Sequence, residues 1–351
     1  RMRAGGFMRV LIVAGGTGGH ISPGVALVQE FVRRGVETAI LTLRKNEKYP
    51  DIGSAGVPVL LYNAPPFPSS ILSLIRYPFR MLGAFLYAFR ALRTFDCVIG
   101  LGGYPTIPGL LAALMRRKQI YLCEQNAVPG QVTRLFSRFA SAVFLSFPIE
   151  RRIPRSELVG NPVRSQLIAN RKRNAQNGLI LVLGGSQGAR QINQMLTALL
   201  LDESRPWTKE ATWLIQCGES HLESMREMLG ARDNVTLFGF HSSIQELYAK
   251  AAVLISRSGA GILTEGTLFG LPLVLIPLPT SKDDHQRANA RVAEAAGAAI
   301  TIDQNGADHQ RLADVLGKLL TSPEILEDMS RKSAALFAAD AASRIAERVL
   351  A

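Results

Sequence analysis

Cysteine is scarce in this chain: 351 residues contain three, Cys97, Cys123 and Cys217. They are odd in number, far apart and never spaced C-x-x-C. That excludes a disulfide framework and a cysteine-based zinc site, and it fits a reducing compartment. No D-x-D triplet occurs, and no cluster of His, Cys and carboxylates has metal-ligand spacing, so no resident metal is expected. Long hydrophobic runs are missing too. The most apolar stretch, Ile71–Arg93, is cut by Arg76, Pro78, Arg80 and Arg90. Its longest uncharged run, Met81 to Phe89, falls well short of the roughly 20 residues that span a bilayer. Arg1–Phe7 is short and basic with no apolar segment and small-residue cleavage site behind it, so no secretory signal is expected.

Acidic residues are scarce in one half only. Up to Arg173 there are 24 Lys+Arg and 8 Asp+Glu, net +16, whereas the remainder carries 16 and 20, net −4, against +12 overall. A single basic half points to an anionic partner, either nucleic acid or an anionic membrane surface. No RNA- or DNA-binding module is recognisable, and such a function would leave the glycine loops described below unexplained. Nucleic acid is therefore not the expected partner.

Hydrophobic residues make up 47% and charged residues 19%, a globular composition, and the length suits two domains better than one. Short apolar runs alternate with helical patterns, as in parallel βαβ units. Strands are expected at Met8–Val13, Thr38–Leu43, Val57–Tyr62, Cys97–Leu101, Ile120–Cys123 and Ala142–Leu145. A second series is expected at Gly178–Leu183, Thr212–Gln216, Val235–Phe238, Ala252–Ser256, Leu273–Pro277 and Ala299–Ile302. The two series start alike, "VLIVAGGTGGH" and "LILVLGGSQGAR", each a buried strand entering a glycine-rich turn and then a helix. The fold class is thus α/β, with two Rossmann-like halves in tandem joined by a polar linker around residues 160–177. A last helix, Ala338–Leu350, has no strand after it.

The first loop, inside "VLIVAGGTGGHISPG" (Val10–Gly24), has the small residues that let backbone N–H groups approach an anion. It is not a Walker loop, because Gly18-Gly19-His20 stands where Gly-Lys-Ser/Thr is required. Nor does it suit NAD: a G-x-G-x-x-G starting at Gly16 ends on Ile21, and Glu37 lies inside a strand pattern. His20, at the rim, has an ordinary pKa of about 6.5 and is placed to accept a proton; the rival role is to cap a helix beginning near Pro23. "GGSQGARQIN" (Gly184–Asn193) repeats the geometry, with the Ser186 hydroxyl available to a phosphate or a sugar. In the third turn Ser258, Gly259, Ala260 and Gly261 lead into a helix bearing Thr264 and Glu265. Its N-terminus favours a diphosphate; Glu265 either accepts hydrogen bonds from ribose hydroxyls or complements the helix dipole.

Ile71–Arg93 combines Ile71, Leu74, Ile75, Phe79, Leu82, Phe85, Leu86 and Phe89 with four arginines and no acid. This fits an interfacial surface resting on anionic lipid; the alternative is a core helix with an arginine-bearing solvent face.

Seven motifs in order resemble those of the MurG family of bacterial peptidoglycan glycosyltransferases. They are "GGTGGH" (Gly15–His20), "GGYPTIPG" (Gly102–Gly109), "EQNAVPG" (Glu124–Gly130), "GNPVR" (Gly160–Arg164), "GGSQGAR" (Gly184–Arg190), "SRSGA" with Glu265, and "KDDHQRANA" (Lys282–Ala290). The resemblance covers nearly the whole chain. It implies inverting transfer of N-acetylglucosamine from UDP-N-acetylglucosamine to the muramyl 4-hydroxyl of lipid I, giving lipid II, with neither metal nor cofactor. It also implies the GT-B architecture, two Rossmann-like parallel-sheet domains with an interdomain cleft. Residues 1–163 would form the acceptor and membrane side, 164–335 the donor domain, and 336–351 a helix returning to the first domain.

Carried over by position, the resemblance makes His20 the candidate base and sets Thr17, Gly18 and Gly19 against the diphosphates. Asn126 would meet the donor sugar, and Arg164 and Ser186 the donor diphosphate region. Ala260, Gly261, Ile262, Leu263, Thr264 and Glu265 would hold diphosphate and ribose. His241 would lie by the uracil, contacting it through its backbone, and His285 and Gln286 would reach the sugar hydroxyls. Ile75, Arg76, Phe79, Arg80, Leu82, Phe85 and Tyr104 are the candidates for the membrane or acceptor side. The implied partners are lipid I, an anionic membrane surface and cell-wall synthesis proteins, and the implied place is the cytoplasmic face of the bacterial inner membrane, held peripherally. Through peptidoglycan the role extends to cell shape and division. Two departures stand out: Cys123 replaces the histidine that commonly precedes Glu-Gln-Asn, and "GFHSS" around His241 replaces a commonly acidic run. A rival within the same architecture is transfer to another lipid such as diacylglycerol.

Overall fold

The structure, a computed structural model, describes residues 8–16, 18–47, 49–53, 55–65, 70–184, 189–304 and 309–351. The chain divides into two compact units, Arg1–Ser165 with Ala338–Ala351, and Gln166–Phe337. Both are α/β with a wholly parallel sheet.

In the first unit the apolar runs become β1 (Arg9–Val13), β2 (Glu37–Leu43), β3 (Val59–Tyr62), β4 (Cys97–Gly100), β5 (Gln119–Glu124), β6 (Ala142–Leu145) and β7 (Ser156–Leu158). They lie in the order β3-β2-β1-β4-β5-β6-β7. The helices are α1 (Gly18–Arg33), α2 (Pro50–Gly53), α3 (Ile71–Ala91), α4 (Ile107–Met115) and α5 (Gln131–Phe136), and the chain passes into the second unit at the start of the short α6 (Ser165–Ala169). Strand β1 is buried on both faces, as parallel sheets require. Val10 and Ile12 pack with Val25 and Phe31 of α1, while Leu11 and Val13 pack with Ala84 and Ala88 of α3 and Leu110 and Ala113 of α4.

The second unit holds β8 (Leu179–Leu183), β9 (Thr212–Gln216), β10 (Val235–Phe238), β11 (Val253–Ser256), β12 (Leu273–Leu275) and β13 (Ala299–Thr301), in the order β10-β9-β8-β11-β12-β13. Its helices are α7 (Arg190–Leu201), α8 (Trp207–Glu210), α9 (Leu222–Leu229), α10 (Ile244–Lys250), α11 (Ala260–Leu268), α12 (His285–Ala295), α13 (His309–Thr321) and α14 (Pro323–Ala335). Trp213, fully buried among Ile180, Val182, Ile215, Leu312 and Leu316, gives its Nε1–H to Thr208 O at 3.0 Å. The final helix, α15 (Ala341–Leu350), belongs to the first unit. Ile345 and Val349 enter the core beside α1, and Arg34 donates to Ser343 Oγ (2.6 Å) and Glu347 Oε1 (3.0 Å).

Three details depart from what the sequence led us to expect. Helix α1 begins at Gly18, so Pro23 lies inside it and withholds the N–H that would bond Gly19 O. Strand β7 arises from Ser-Glu-Leu at the sheet edge, which has no apolar run to announce it. The stretch expected to be a linker contains the short helix α6. Elsewhere strand ends shift by one or two residues, as helix and strand boundaries do.

Candidate active site

In the first sheet β1 lies between β2 and β4, so the connections after β1 and β4 leave in opposite directions. A crevice at the carboxyl edge of the strands follows from that order, and open α/β sheets bind ligands there. Both glycine motifs stand at this point. Gly15 packs so closely on the second loop that a Cβ built on it would lie 2.5 Å from Gly102 O. Gly102 and Gly103 have φ of +79° and +78°, conformations that glycine adopts freely. The His20 ring, half-buried in the first turn of α1, fits among these glycines. A Cβ on Gly15, Gly102 or Gly103 would lie 3.4, 3.6 and 3.6 Å from its Cγ, Nε2 and Cε1. Gly18 is half-buried and Gly19 exposed; Thr17 is outside the described residues. Buried Asn46 pins the loop through Nδ2, which donates to Gly15 O (3.2 Å) and Thr42 Oγ1 (2.9 Å).

The loop after β5 completes this edge, and its anchor is Glu124, 4% exposed. The carboxylate accepts from Asn126 N (3.1 Å), Gly130 N (2.9 Å) and Thr133 Oγ1 (2.6 Å), closing Glu124–Gly130 into a fixed arch. Burial pushes its pKa up, opposed by the bonds from Thr133, Gly130 and Asn126. Next to it, Gln125 is buried near the Gly102 position, and its Nε2 has no hydrogen-bond partner among the described residues. Cys123 is a core residue whose thiol pKa is driven far up by burial and by the neighbouring Glu124 charge, so it does not ionise near neutral pH. Tyr104 is half-buried, its phenol pKa raised by burial and by Tyr77. Arg164 is half-buried and falls in this first unit.

Helix α3 presents an apolar stripe outward. Leu74, Ile75, Phe79, Leu82 and Leu86 are all exposed, Phe79 to 72%, with Arg76 and Arg80 exposed beside them. Phe85, expected on this surface, instead turns to the core and packs against Phe89, ring centroids 5.6 Å apart. Its neighbours Ala84 and Ala88 mark the buried face. The Ile71 side chain is outside the described residues. On α4, Leu111 and Met115 are also exposed, and the Arg116 guanidinium lies 3.8 Å above the Phe89 ring.

The second sheet repeats the reversal, with β8 between β9 and β11. Ser186, in the loop after β8, is outside the described residues. After β11, buried Arg257 donates from Nη1 to Ile276 O (2.9 Å), Pro277 O (3.3 Å) and Gln304 Oε1 (2.6 Å), and from Nη2 to Gln191 Oε1 (3.5 Å). These acceptors are all neutral, and burial lowers the guanidinium pKa. Ser258 Oγ donates to Gln286 O (2.7 Å) and Asn289 Nδ2 to Ser258 O (3.0 Å), tying α12 to the start of α11. Helix α11 opens at Ala260 with no side-chain cap, which leaves its first amides for another acceptor. Gly261 and Ile262 are half-buried; Leu263 is a core residue; Thr264 Oγ1 donates back to Ala260 O at 2.7 Å. Glu265 is half-buried, and its Oε2 accepts from Tyr248 Oη at 2.9 Å. Gln286 Oε1 accepts from Leu278 N (3.0 Å), and His285 Nδ1 lies 2.7 Å from Lys282 O. His241 Nδ1 accepts from Ser243 N at 3.2 Å, a local bond at the start of α10.

The anchors that sequence reasoning missed are Asn46, Glu124 as a loop clamp, Tyr248 and Arg257. Only Glu124 carried a local signal, an acid ending an apolar strand just before a Pro-Gly loop. Among the described residues no group of three or more His, Cys, Asp or Glu side chains is placed to hold a metal ion, and no helix is long and apolar enough to cross a membrane.

Comparison with known proteins matches residues 10–145 to the glycosyltransferase family 28 N-terminal domain and residues 179–345 to the family 28 C-terminal domain. A protein of Leptospira interrogans (serovar copenhageni) is 40% identical over 343 residues, covering 92% of this chain and 94% of its own. The chain belongs to glycosyltransferase family 28. The Leptospira member is named "UDP-N-acetylglucosamine--N-acetylmuramyl-(pentapeptide) pyrophosphoryl-undecaprenol N-acetylglucosamine transferase". A family 28 relative from Ectopseudomonas mendocina bears the same name and is 35% identical, covering 96% of this chain and 97% of its own. The crystal structure of Acinetobacter baumannii MurG superposes with a TM-score of 0.78 at 26% identity, covering 98% of this chain and 99% of that one. The N-terminal family 28 match runs from β1 to β6, and the C-terminal match from β8 into α15.

Proposed function

We propose that this chain is the N-acetylglucosaminyltransferase that its family 28 relatives are named for. It takes N-acetylglucosamine from UDP-N-acetylglucosamine to the muramyl 4-hydroxyl of the undecaprenyl-diphosphate-linked muramyl peptide. The observation that carries this is the pairing of motif with topology: in each unit the strands that flank the switch point of the sheet are followed by glycine-rich sequence, with His20 after β1 and Glu265 after β11. The first unit takes the acceptor, whose diphosphate meets the amides around Gly15–Gly19 and Gly102–Gly103, with Thr17 and the buried Gln125 amide supplying donors. The second takes the sugar nucleotide.

On the donor side the uncapped amides and dipole of α11, with Ser186 and Arg164, stabilise the diphosphate, and most of all the charge gained as UDP departs. Glu265 accepts from the ribose hydroxyls, backbone groups at His241 border the uracil, and Asn126, His285 and Gln286 hold the sugar. Holding both substrates converts transfer to an effectively unimolecular step. His20 takes the proton from the 4-hydroxyl as the anomeric carbon becomes oxocarbenium-like, the O–C bond forms on the face opposite UDP, and the linkage inverts. Cys123 cannot share that role, since its thiol stays protonated.

The outward stripe of α3 supports attachment to the cytoplasmic leaflet, where the lipid acceptor is made available. Each large apolar side chain fully buried in lipid contributes about 1.5–3 kcal/mol, and each arginine near an anionic surface about 1 kcal/mol. A handful of such groups holds a protein reversibly, as a peripheral enzyme. Cell-wall synthesis proteins are the partners such a location would bring close.

The test is His20→Ala in single-turnover transfer to lipid I. Chemistry should slow by about a hundredfold or more while donor affinity is kept; unchanged chemistry removes His20 from the role of base. Turnover of diacylglycerol without turnover of lipid I would overturn the choice of acceptor, and complete loss of transfer in EDTA would overturn stabilisation of UDP without a metal ion.

A further inference from the structure

Glu265 carries the ribose contact in the function proposed above, yet α11 does not by itself fix where its carboxylate points. A glutamate on a helix surface has three side-chain torsions and loses considerable rotamer entropy when ordered. The ordering group comes from the preceding helix. Tyr248 on α10 is 1% exposed, and its ring stacks on Phe269, centroids 5.3 Å apart with an interplanar angle of 28°. Phe269 is itself buried and caps the end of α11, one turn after Glu265. From that fixed ring the Tyr248 hydroxyl reaches Glu265 Oε2 at 2.9 Å. The phenol thus grips α11 at two points on one face, positions 265 and 269, which are neighbours on a helix. A buried tyrosine hydroxyl needs an acceptor, and here the acceptor is the group proposed to read the nucleoside.

We propose that Tyr248 is a positioning residue for the donor nucleoside: it holds the Glu265 carboxylate in a single orientation and thereby makes the enzyme select ribonucleotide over 2′-deoxyribonucleotide sugar donors. The inference rests on the reading of Glu265 as the ribose contact. The physical reason is that a site rejects an analogue lacking a hydroxyl only when its own polar group is left unpaired and cannot turn away. A carboxylate held by Tyr248 stays aimed at the missing hydroxyl. One that has lost the Tyr248 hydroxyl is aimed less firmly and penalises the deoxy donor less.

The experiment measures kcat and KM for UDP-N-acetylglucosamine and for its 2′-deoxyuridine counterpart in the wild type, Tyr248→Phe, Glu265→Ala and the double variant. Tyr248→Phe keeps the stacking ring and deletes only the hydroxyl, and its Tm verifies that the unit is folded. The kcat/KM preference for the ribo donor should fall about tenfold in Tyr248→Phe, chiefly through a lowered KM for the deoxy donor, with kcat little changed. Glu265→Ala should abolish the preference, and adding Tyr248→Phe to it should change nothing further, because the tyrosine acts through the carboxylate. If Tyr248→Phe weakens both donors equally, or keeps the full preference while Glu265→Ala abolishes it, the tyrosine is structural and the proposal fails while the ribose contact stands. If Glu265→Ala keeps the preference, the ribose contact fails and the proposal fails with it.

Discussion

Gly15→Ala places a methyl 2.5 Å from Gly102 O, a backbone atom that no rotamer change moves aside. The two glycine loops must separate, which disturbs the seat of the His20 ring packed against both of them. Overpacking of this kind costs about 1–3 kcal/mol, which for a unit of this size lowers Tm by roughly 3–9 °C. Activity should suffer more than stability, since a misplacement of about 1 Å at a reacting group costs on the order of a hundredfold. Two neighbours in the same motif serve as controls. A methyl on Gly16 meets Leu43 Cδ1 at 3.4 Å, and one on Gly18 meets Tyr49 Cε1 at 3.5 Å, ordinary contacts with side chains. Neither glycine has a positive φ, so alanine there should stabilise by up to about 1 kcal/mol through the unfolded chain. The fold alone therefore predicts that Gly16→Ala and Gly18→Ala are harmless. If a diphosphate approaches this loop, both should lose lipid I turnover at an unchanged or raised Tm. Thermal unfolding beside transfer kinetics separates the cases: Gly15→Ala with wild-type Tm refutes the packing argument, and Gly16→Ala and Gly18→Ala with wild-type turnover refute the diphosphate.

Two further predictions concern the first unit. Burial holds the native Glu124 pKa above the ordinary carboxylate value of 4.5, so the folded chain binds this proton more tightly than the unfolded one. Its stabilising contribution is therefore complete below 4.5 and is lost as pH rises through the native value. Relative to the non-titrating Glu124→Gln, wild-type stability in urea should decline as pH rises, and a difference that stays flat between about pH 4 and 8 excludes this carboxyl from the linkage. On α3, Phe79→Glu with Leu82→Glu should reduce sedimentation with phosphatidylglycerol vesicles tenfold or more, roughly the effect of a few kcal/mol, and leave Tm unchanged. Phe85→Ala should do the opposite, lowering Tm without altering sedimentation; equal vesicle binding by all three proteins refutes the assignment of faces.

The contrast between Phe79 and Phe85 shows where sequence ceases to be informative. Both lie on one run of apolar residues at helical spacing in α3, and a stripe of period 3.6 normally marks the inner face, whereas here most of it faces outward. The small residues Ala84 and Ala88 are buried against the sheet, and Phe79 is not, because of where α3 crosses the strands. The strands themselves were legible, since burial on both faces demands unbroken aliphatic runs. Strand β7 was not, because three residues at a sheet edge need no such run. The start of α1 was hidden for a different reason: glycines disfavour a helix interior, but at the first turn, where amides lack partners in any case, a glycine costs little and leaves them accessible.

The candidate site divides along the same line between local and non-local causes. Glycine loops are local: the bare backbone that lets a phosphate approach is written into consecutive residues, and so is the histidine that follows them. What those loops act with is not. That β1 lies beside β4 and β8 beside β11 followed only from the Rossmann-like alternation of each half as a whole and from no single motif, although that adjacency is what creates a crevice in each sheet. Likewise the Glu124 clamp depends on Thr133 returning one helix later, and Glu265 is held by a tyrosine 17 residues earlier. Cys123 makes the point in reverse. A residue at a motif position where the resemblance leads one to expect a histidine is here buried in the core, so in the reaction proposed above the base at this edge is His20, whose ring packs among three glycines.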